Sequence, residues 1–244
     1  MRRLIVLSFA VLFLVTGCAV DNIPAVDTQI QVVTTDPVVP TTLQTAPETT
    51  EPMQTTLPIP ADDELVCTGM YAPQLRVELA YATAYNFTGK VIYDFEEAYL
   101  RYGTLKKLIA ADELLRAHGV GIVIWDGFRP VSAQEKLWQV CPDPTYVSHP
   151  VTGRRAHCRG NAVDVTLYDL QTGELLDMPT GFDDFSKRAD RNYADCTQTQ
   201  KENALLLENA MKDCGFKPYS AEWWHYTDRV DYPVDEAFDP SVEQ

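Results

Sequence analysis

Two short segments hold the residues of this chain best suited to chemistry: Arg155-Ala156-His157-Cys158-Arg159-Gly160-Asn161-Ala162-Val163-Asp164, and, about sixty residues later, Glu222-Trp223-Trp224-His225. Together they bring two imidazoles and one carboxylate, with a second carboxylate three residues before the last imidazole. Catalytic zinc in hydrolases takes three protein nitrogen or oxygen ligands and keeps a fourth position for water. His157, Asp164 and His225 suit the three ligands of one zinc ion, which leaves Glu222 as the base. Two neutral imidazoles and one carboxylate leave such an ion a net positive charge, which lowers the pKa of bound water to about 7 and polarises a carbonyl oxygen. Glu222 would take the water proton and later pass it to the leaving amine. A regular strand over residues 222–226 would set Glu222 and His225 on opposite faces. Both reach one metal only if a bulge or turn intervenes.

Arg129 follows an apolar run directly, on a turn shaped by Gly127 and Pro130. A guanidinium held there suits the oxyanion of a tetrahedral intermediate, with Asp126 to orient it or to meet substrate. Asp183 and Asp184 lie in Phe182-Asp183-Asp184-Phe185-Ser186, where one carboxylate could bind a substrate ammonium or simply cap a short helix. His118, at a helix end, and His149, before Pro150, read as solvated residues and not as ligands.

The elements that must position these groups are legible in the apolar pattern. Helical spacing predicts helices over Tyr99–Ala117, Val131–Val140 and Lys201–Cys214, the first and last stopped by Gly119 and Gly215. Val120–Trp125 is a continuous apolar run of strand length, and Phe216–Tyr219 and Trp223–Thr227 read as a late hairpin. In Ala162–Leu167, Asp164 shares a face with Ala162 and Thr166, opposite Val163, Val165 and Leu167. No internal repeat is present. The expectation is a single α+β domain whose mainly antiparallel sheet, flanked by helices, carries the ligands on one face.

The flanks speak of location. Met1-Arg2-Arg3, the apolar run Leu4–Val15 and Thr16-Gly17-Cys18 form an export signal too short to span a bilayer. Cys18 matches a lipobox cysteine, so residues 1–17 are read as a lipoprotein signal and Cys18 as the lipidated first residue, at the outer face of the bacterial membrane. Residues 18–63 are rich in Thr, Pro, Val and Gln and cannot bury enough apolar surface to fold, which suits a tether. Residues 64–244 are long enough for one core. The formal charge of -15 argues against nucleic acid as a partner. Five cysteines follow Cys18, an odd number, so at least one is unpaired within the monomer. Cys158, beside a ligand, is the expected loner, with Cys67, Cys141, Cys196 and Cys214 as bridge candidates.

Five motifs, taken in order, resemble the zinc D-alanyl-D-alanine dipeptidases of the VanX type, relatives of the D,D-carboxypeptidases. They are Tyr81-Ala82-Thr83 with Asn86-Phe87-Thr88-Gly89, Asp126-Gly127-Phe128-Arg129-Pro130, His157-x-x-Gly160-x-Ala162-x-Asp164, Met178 with Phe182-Asp183-Asp184-Phe185-Ser186, and Glu222-Trp223-Trp224-His225. The resemblance implies zinc on His157, Asp164 and His225, Glu222 as general acid/base, Arg129 on the transition state, and Asp183 on the substrate amino group. It also implies a compact α+β domain with a small closed cavity. Arg155 stands where the family has serine, and Cys158 where it has another. Three functions follow from these readings. The first is hydrolysis of D-Ala-D-Ala or a related D,D or L,D dipeptide outside the membrane, in cell-wall turnover or glycopeptide resistance. The second is D,D-carboxypeptidase trimming of peptidoglycan stem peptides, and the third is a non-catalytic wall-binding lipoprotein.

Overall fold

Val120–Asp126 is apolar on both faces, and all seven residues are buried. Such a strand has to run inside a sheet with cover on either side. The protein is described from a computed structural model over residues 57–242. In chain order come β1 (Leu65–Cys67), α1 (Thr68–Tyr71), β2 (Arg76–Val77), β3 (Tyr99–Arg101), α2 (Tyr102–Arg116), β4 (Val120–Asp126), α3 (Val131–Val140), β5 (Ala162–Asp169), α4 (Gln198–Asp213), β6 (Phe216–Tyr219) and β7 (Glu222–Asp228). Five strands form the main sheet in the order β2-β4-β5-β7-β6. Only β2 and β4 pair in parallel, so the fold is α+β with a mainly antiparallel sheet, as the sequence implies. A separate ribbon joins β1 to β3.

Helices α2 and α4 pack on each other and on the sheet. Their buried Leu105, Leu108, Leu115, Leu207 and Met211 share one core with Val163, Val165 and Leu167 of β5. Each such side chain contributes roughly 1.5–3 kcal/mol relative to exposure, so this layer fixes which way β5 faces. Asp164 is thereby turned to the other side. A one-residue slip would bury it among the leucines.

Three boundaries differ from expectation. Tyr99–Arg101 is a strand and not the first turn of a helix, because its backbone pairs with Leu65–Cys67; the helix begins at Tyr102. Helix α4 begins at Gln198, three residues early, on a capping box in which the Thr197 hydroxyl accepts from the Gln200 amide and the Gln200 side chain accepts from the Thr197 amide. Asp62 and Asp63, read as the end of the tether, are fastened to the domain: the Gly103 amide donates to Asp62 O, and Arg101 donates to Asp63 O at 2.6 Å.

Cys67, Cys141, Cys158, Cys196 and Cys214 are all free, so the bridges weighed for four of them are not formed. Cys196 and Cys214 flank the two ends of α4, and a helix of that length separates them by about 24 Å, far beyond the roughly 7 Å limit for bridged Cα atoms. The export signal, Cys18 and the tether up to residue 56 lie outside the described residues. No helix among the described residues is long and apolar enough to cross a membrane.

Candidate active site

Three neighbouring strands deliver one row of polar side chains. Asp126 on β4 pairs with Asp164 on β5, and Asp164 pairs with His225 on β7. His157 enters from a single 3-10 turn, His157–Arg159, which ends at Gly160 with φ 71°. A Cβ on Gly160 would lie 2.5 Å from the Leu65 side chain, so this turn of the motif requires glycine.

The ligand atoms anticipated from sequence converge. His157 Nε2 lies 3.2 Å from His225 Nδ1, which lies 2.8 Å from Asp164 Oδ1. His157 Nε2 is 3.4 Å from the other Asp164 oxygen. A tetrahedral ion with bonds of about 2.0–2.1 Å needs neighbouring ligands about 3.3 Å apart, so these residues fit one. The far ring nitrogens are engaged as ligation requires. His157 Nδ1 donates to Gly127 O at 2.9 Å, and His225 Nε2 meets Thr227 Oγ1 at 3.2 Å, leaving Nε2 of the first ring and Nδ1 of the second for a metal. Burial opposes a charge on Asp164, but the two imidazoles outweigh it and hold its carboxyl well below the usual range. Among the described residues this is the one grouping of three or more His, Cys, Asp or Glu side chains with metal-ligand spacing.

The conflict between Glu222 and His225 is resolved by a break in the β6–β7 ladder. Pro218 pairs with Tyr226, yet the next residue, Tyr219, pairs with Glu222. Around this break Trp223 and Trp224 are both buried, while Glu222 and His225 are each partly open. Burial raises the Glu222 carboxyl, with the His225, Asp164, His157 and Asp183 charges within electrostatic reach.

Arg129 is held from every side. Its Nη2 donates to Asp126 Oδ2 at 2.6 Å, its Nη1 to Gln134 Oε1 at 3.0 Å, and its guanidinium lies 5.0 Å over the Tyr81 ring. Asp126 is fully buried and also accepts from Tyr93 Oη at 2.6 Å and from the Gly127 amide at 2.9 Å. Oδ1 of Asp126 is thus engaged by Tyr93 and the Gly127 amide, and Oδ2 by Arg129, whose guanidinium it orients. Tyr93 and Gln134 were not anticipated; a tyrosine in a loop and a glutamine on a helix carry no local signal.

Asp183 has the opposite character. It sits at φ 57°, in the left-handed region, and is 9% exposed. Its Oδ2 is buried with no hydrogen-bond partner. Burial, seconded by the Asp164 charge, pushes its carboxyl up to about 7. Strain and an unmatched buried acceptor thus coincide at this residue, a combination that ligand-binding groups show. Asp184 Oδ1 accepts from the Ser186 amide in a turn just ahead of the short 3-10 helix Lys187–Ala189, whose N-cap residue is Ser186 and which no side chain caps. The rings of Tyr81, Phe182, Trp125 and Trp223 pack in sequence, edge-to-face or tilted, with neighbouring centroids 5.4–5.7 Å apart.

The remaining candidates lie outside the grouping with metal-ligand spacing. His149 Nδ1 accepts from the Val151 and Thr152 amides, and His118 is exposed. Cys158 is fully buried, and burial pushes its thiol up to about 11. Arg155, at φ 48°, donates to Glu236 Oε1 at 3.1 Å.

Two histidines and an aspartate with metal-ligand spacing, with the partly buried Glu222 carboxylate within electrostatic reach, are the layout of a metal-dependent hydrolase. The chain belongs to peptidase family M15, whose model, described as D-ala-D-ala dipeptidase, matches residues 62–241. It is accordingly an enzyme, a metallopeptidase. It is 39% identical over 163 residues to a D-alanyl-D-alanine dipeptidase of Escherichia coli (strain K12), covering 67% of this chain and 83% of the relative. A D-alanyl-D-alanine dipeptidase of Streptomyces coelicolor is 34% identical, over 68% of this chain and 91% of its own. One of Enterococcus faecium is 32% identical, over 65% and 89%.

Proposed function

We propose that this protein is a zinc-dependent dipeptidase that splits D-Ala-D-Ala, or a closely related D,D or L,D dipeptide. The observation that carries the reading is the convergence of His157, Asp164 and His225 next to Glu222. Zinc, when bound, supplies positive charge that acidifies a water and polarises the scissile carbonyl. Glu222, its carboxyl raised by burial, accepts the proton of the attacking water and returns it to the departing amine as the C–N bond breaks. Arg129 steadies the oxyanion, and Asp126, Tyr93 and Gln134 keep it from swinging away. Asp183 receives the ammonium of the substrate on its unmatched oxygen.

That last feature favours a dipeptide over a stem peptide, because a carboxypeptidase substrate has an amide where Asp183 expects a cation. The trial is incubation of zinc-loaded protein with D-Ala-D-Ala and, separately, with a pentapeptide ending in D-Ala-D-Ala. Alanine release from the first alone supports the dipeptidase. Release from the second alone makes it a D,D-carboxypeptidase, and release from neither returns the wall-binding reading.

The site of action belongs to the same proposal. Residues 1–17 act as a lipoprotein signal, Cys18 carries the lipid, and the following residues tether the enzyme at the outer face of the membrane, where it salvages dipeptides from wall turnover or serves glycopeptide resistance. Palmitate labelling that disappears in Cys18→Ala, with release of the protein from the membrane fraction, is expected. Equal labelling of both would refute the anchor.

A further inference from the structure

The placement of Glu222 relative to His225 depends on a break in the β6–β7 pairing. Between the Pro218–Tyr226 and Tyr219–Glu222 pairs, β7 advances four residues while β6 advances one. One side chain, absent from every motif in the sequence, reaches both sides of that break. Arg191 Nε donates to Tyr219 O at 2.7 Å, and its Nη2 donates to His225 O at 3.0 Å. Its Nη1 donates to Tyr226 Oη at 3.0 Å and to Glu208 Oε2 at 3.1 Å. The Arg191 amide donates to Ser220 O, at the tip of the same hairpin, at 3.0 Å.

The guanidinium is fixed in turn. Its side chain is 9% exposed and lies 4.4 Å over the Tyr226 ring. Glu208, on α4, also accepts from Tyr193 Oη at 2.9 Å, and Tyr193 sits at φ 51°, a left-handed conformation costly for an aromatic residue. Helix α4, the Arg191–Tyr193 segment and the broken ladder are thus tied through one planar fork. A lysine cannot copy it, since a single ammonium on a flexible stem does not address several coplanar acceptors at once.

We propose that Arg191 is a positioning residue of the active site: anchored by Glu208, it clamps the Tyr219 and His225 carbonyls and thereby sets where the Glu222 carboxylate stands relative to the His225 imidazole. The inference rests on the roles given above to Glu222 and His225. It predicts a defect in turnover and metal geometry, where a residue needed only for folding would change stability alone.

The test compares full-length wild type, Arg191→Lys, Glu208→Gln and, as a stability control, Arg116→Lys, which weakens the Arg116–Asp112 pair on α2. Each is loaded with cobalt(II), and the visible ligand-field spectrum, thermal midpoint, kcat and KM for D-Ala-D-Ala are measured. Arg191→Lys should lose on the order of 100-fold in kcat, the usual cost of an ångström-scale displacement, while KM changes less than about threefold. Its cobalt bands should shift as His225 moves. Glu208→Gln, which leaves the fork but loosens its anchor, should lose about tenfold in kcat with a smaller shift of the same sense. Arg116→Lys should lower the thermal midpoint with spectrum and kcat unchanged.

Wild-type kcat and an unshifted spectrum in folded Arg191→Lys would overturn the inference. Should that variant not fold, the same result in Glu208→Gln would overturn it. A wild-type protein that neither binds cobalt nor turns over D-Ala-D-Ala would defeat the functional reading and this inference with it, and that failure shows before any variant is compared.

Discussion

Asp183→Asn should make the protein more stable and a worse enzyme. Asparagine matches aspartate in size and tolerates the left-handed backbone at φ 57°, so neither packing nor strain changes. The substitution removes a carboxylate that burial pushes from 3.8 up to about 7. A carboxyl whose folded pKa is raised costs stability once it ionises in the unfolded chain. The cost is absent below pH 3.8, grows between there and about 7, and is constant above. At 1.36 kcal/mol per pKa unit it comes to about 1 kcal/mol at pH 4.5 and about 4 kcal/mol at pH 8. Urea denaturation of metal-free protein at the two pH values measures the difference; the asparagine variant should gain on the order of 3 kcal/mol more at pH 8 than at pH 4.5. Turnover moves the other way. Loss of one partner of a buried charged hydrogen bond costs about 2–5 kcal/mol, so kcat/KM for D-Ala-D-Ala should fall on the order of 100-fold. A variant no more stable at pH 8 than wild type, with kcat/KM retained, would show that Asp183 is not held for the substrate amine.

Glu222→Ala should keep zinc and lose at least about a hundredfold in turnover, while His157→Ala loses both, as metal analysis and alanine release will show; equal zinc loss in the two would mean the roles are exchanged. Asp126→Asn leaves the Arg129 guanidinium, 9% exposed, without its counter-charge. It should cost about 3–5 kcal/mol of stability by urea denaturation, with a fall in kcat that restoring the fold at low temperature does not reverse. Gly160→Ala, forced into Leu65 and a left-handed φ, should cost at least about 2 kcal/mol and loosen zinc binding, measured by competition with a chelator.

The helices and central strands were legible because their period is a physical consequence of burial: Val163, Val165 and Leu167 could face one way only, and Asp164 had to face the other. What stayed hidden depends on partners distant in sequence. Tyr99–Arg101 has helical spacing and becomes a strand because Leu65–Cys67 lies beside it. The capping box at Thr197 was local and readable, yet the apolar pattern starts later and drew the boundary with it. In the candidate site, residue type singled out His157, Asp164, His225 and Glu222, and the structure brings the first three to metal-ligand spacing. The alternation rule even revealed that a break must separate the last two. It could not reveal Arg191, whose role arises only where α4 and the β6–β7 hairpin meet.

Every catalytic role proposed here requires His157, Asp164 and His225 to share one zinc ion. Crystals of protein grown with zinc, measured on both sides of the zinc absorption edge, test it directly. One strong anomalous peak per chain is expected, about 2.0–2.2 Å from His157 Nε2, His225 Nδ1 and an Asp164 oxygen. A peak elsewhere, or none at that point with zinc in excess, would contradict it.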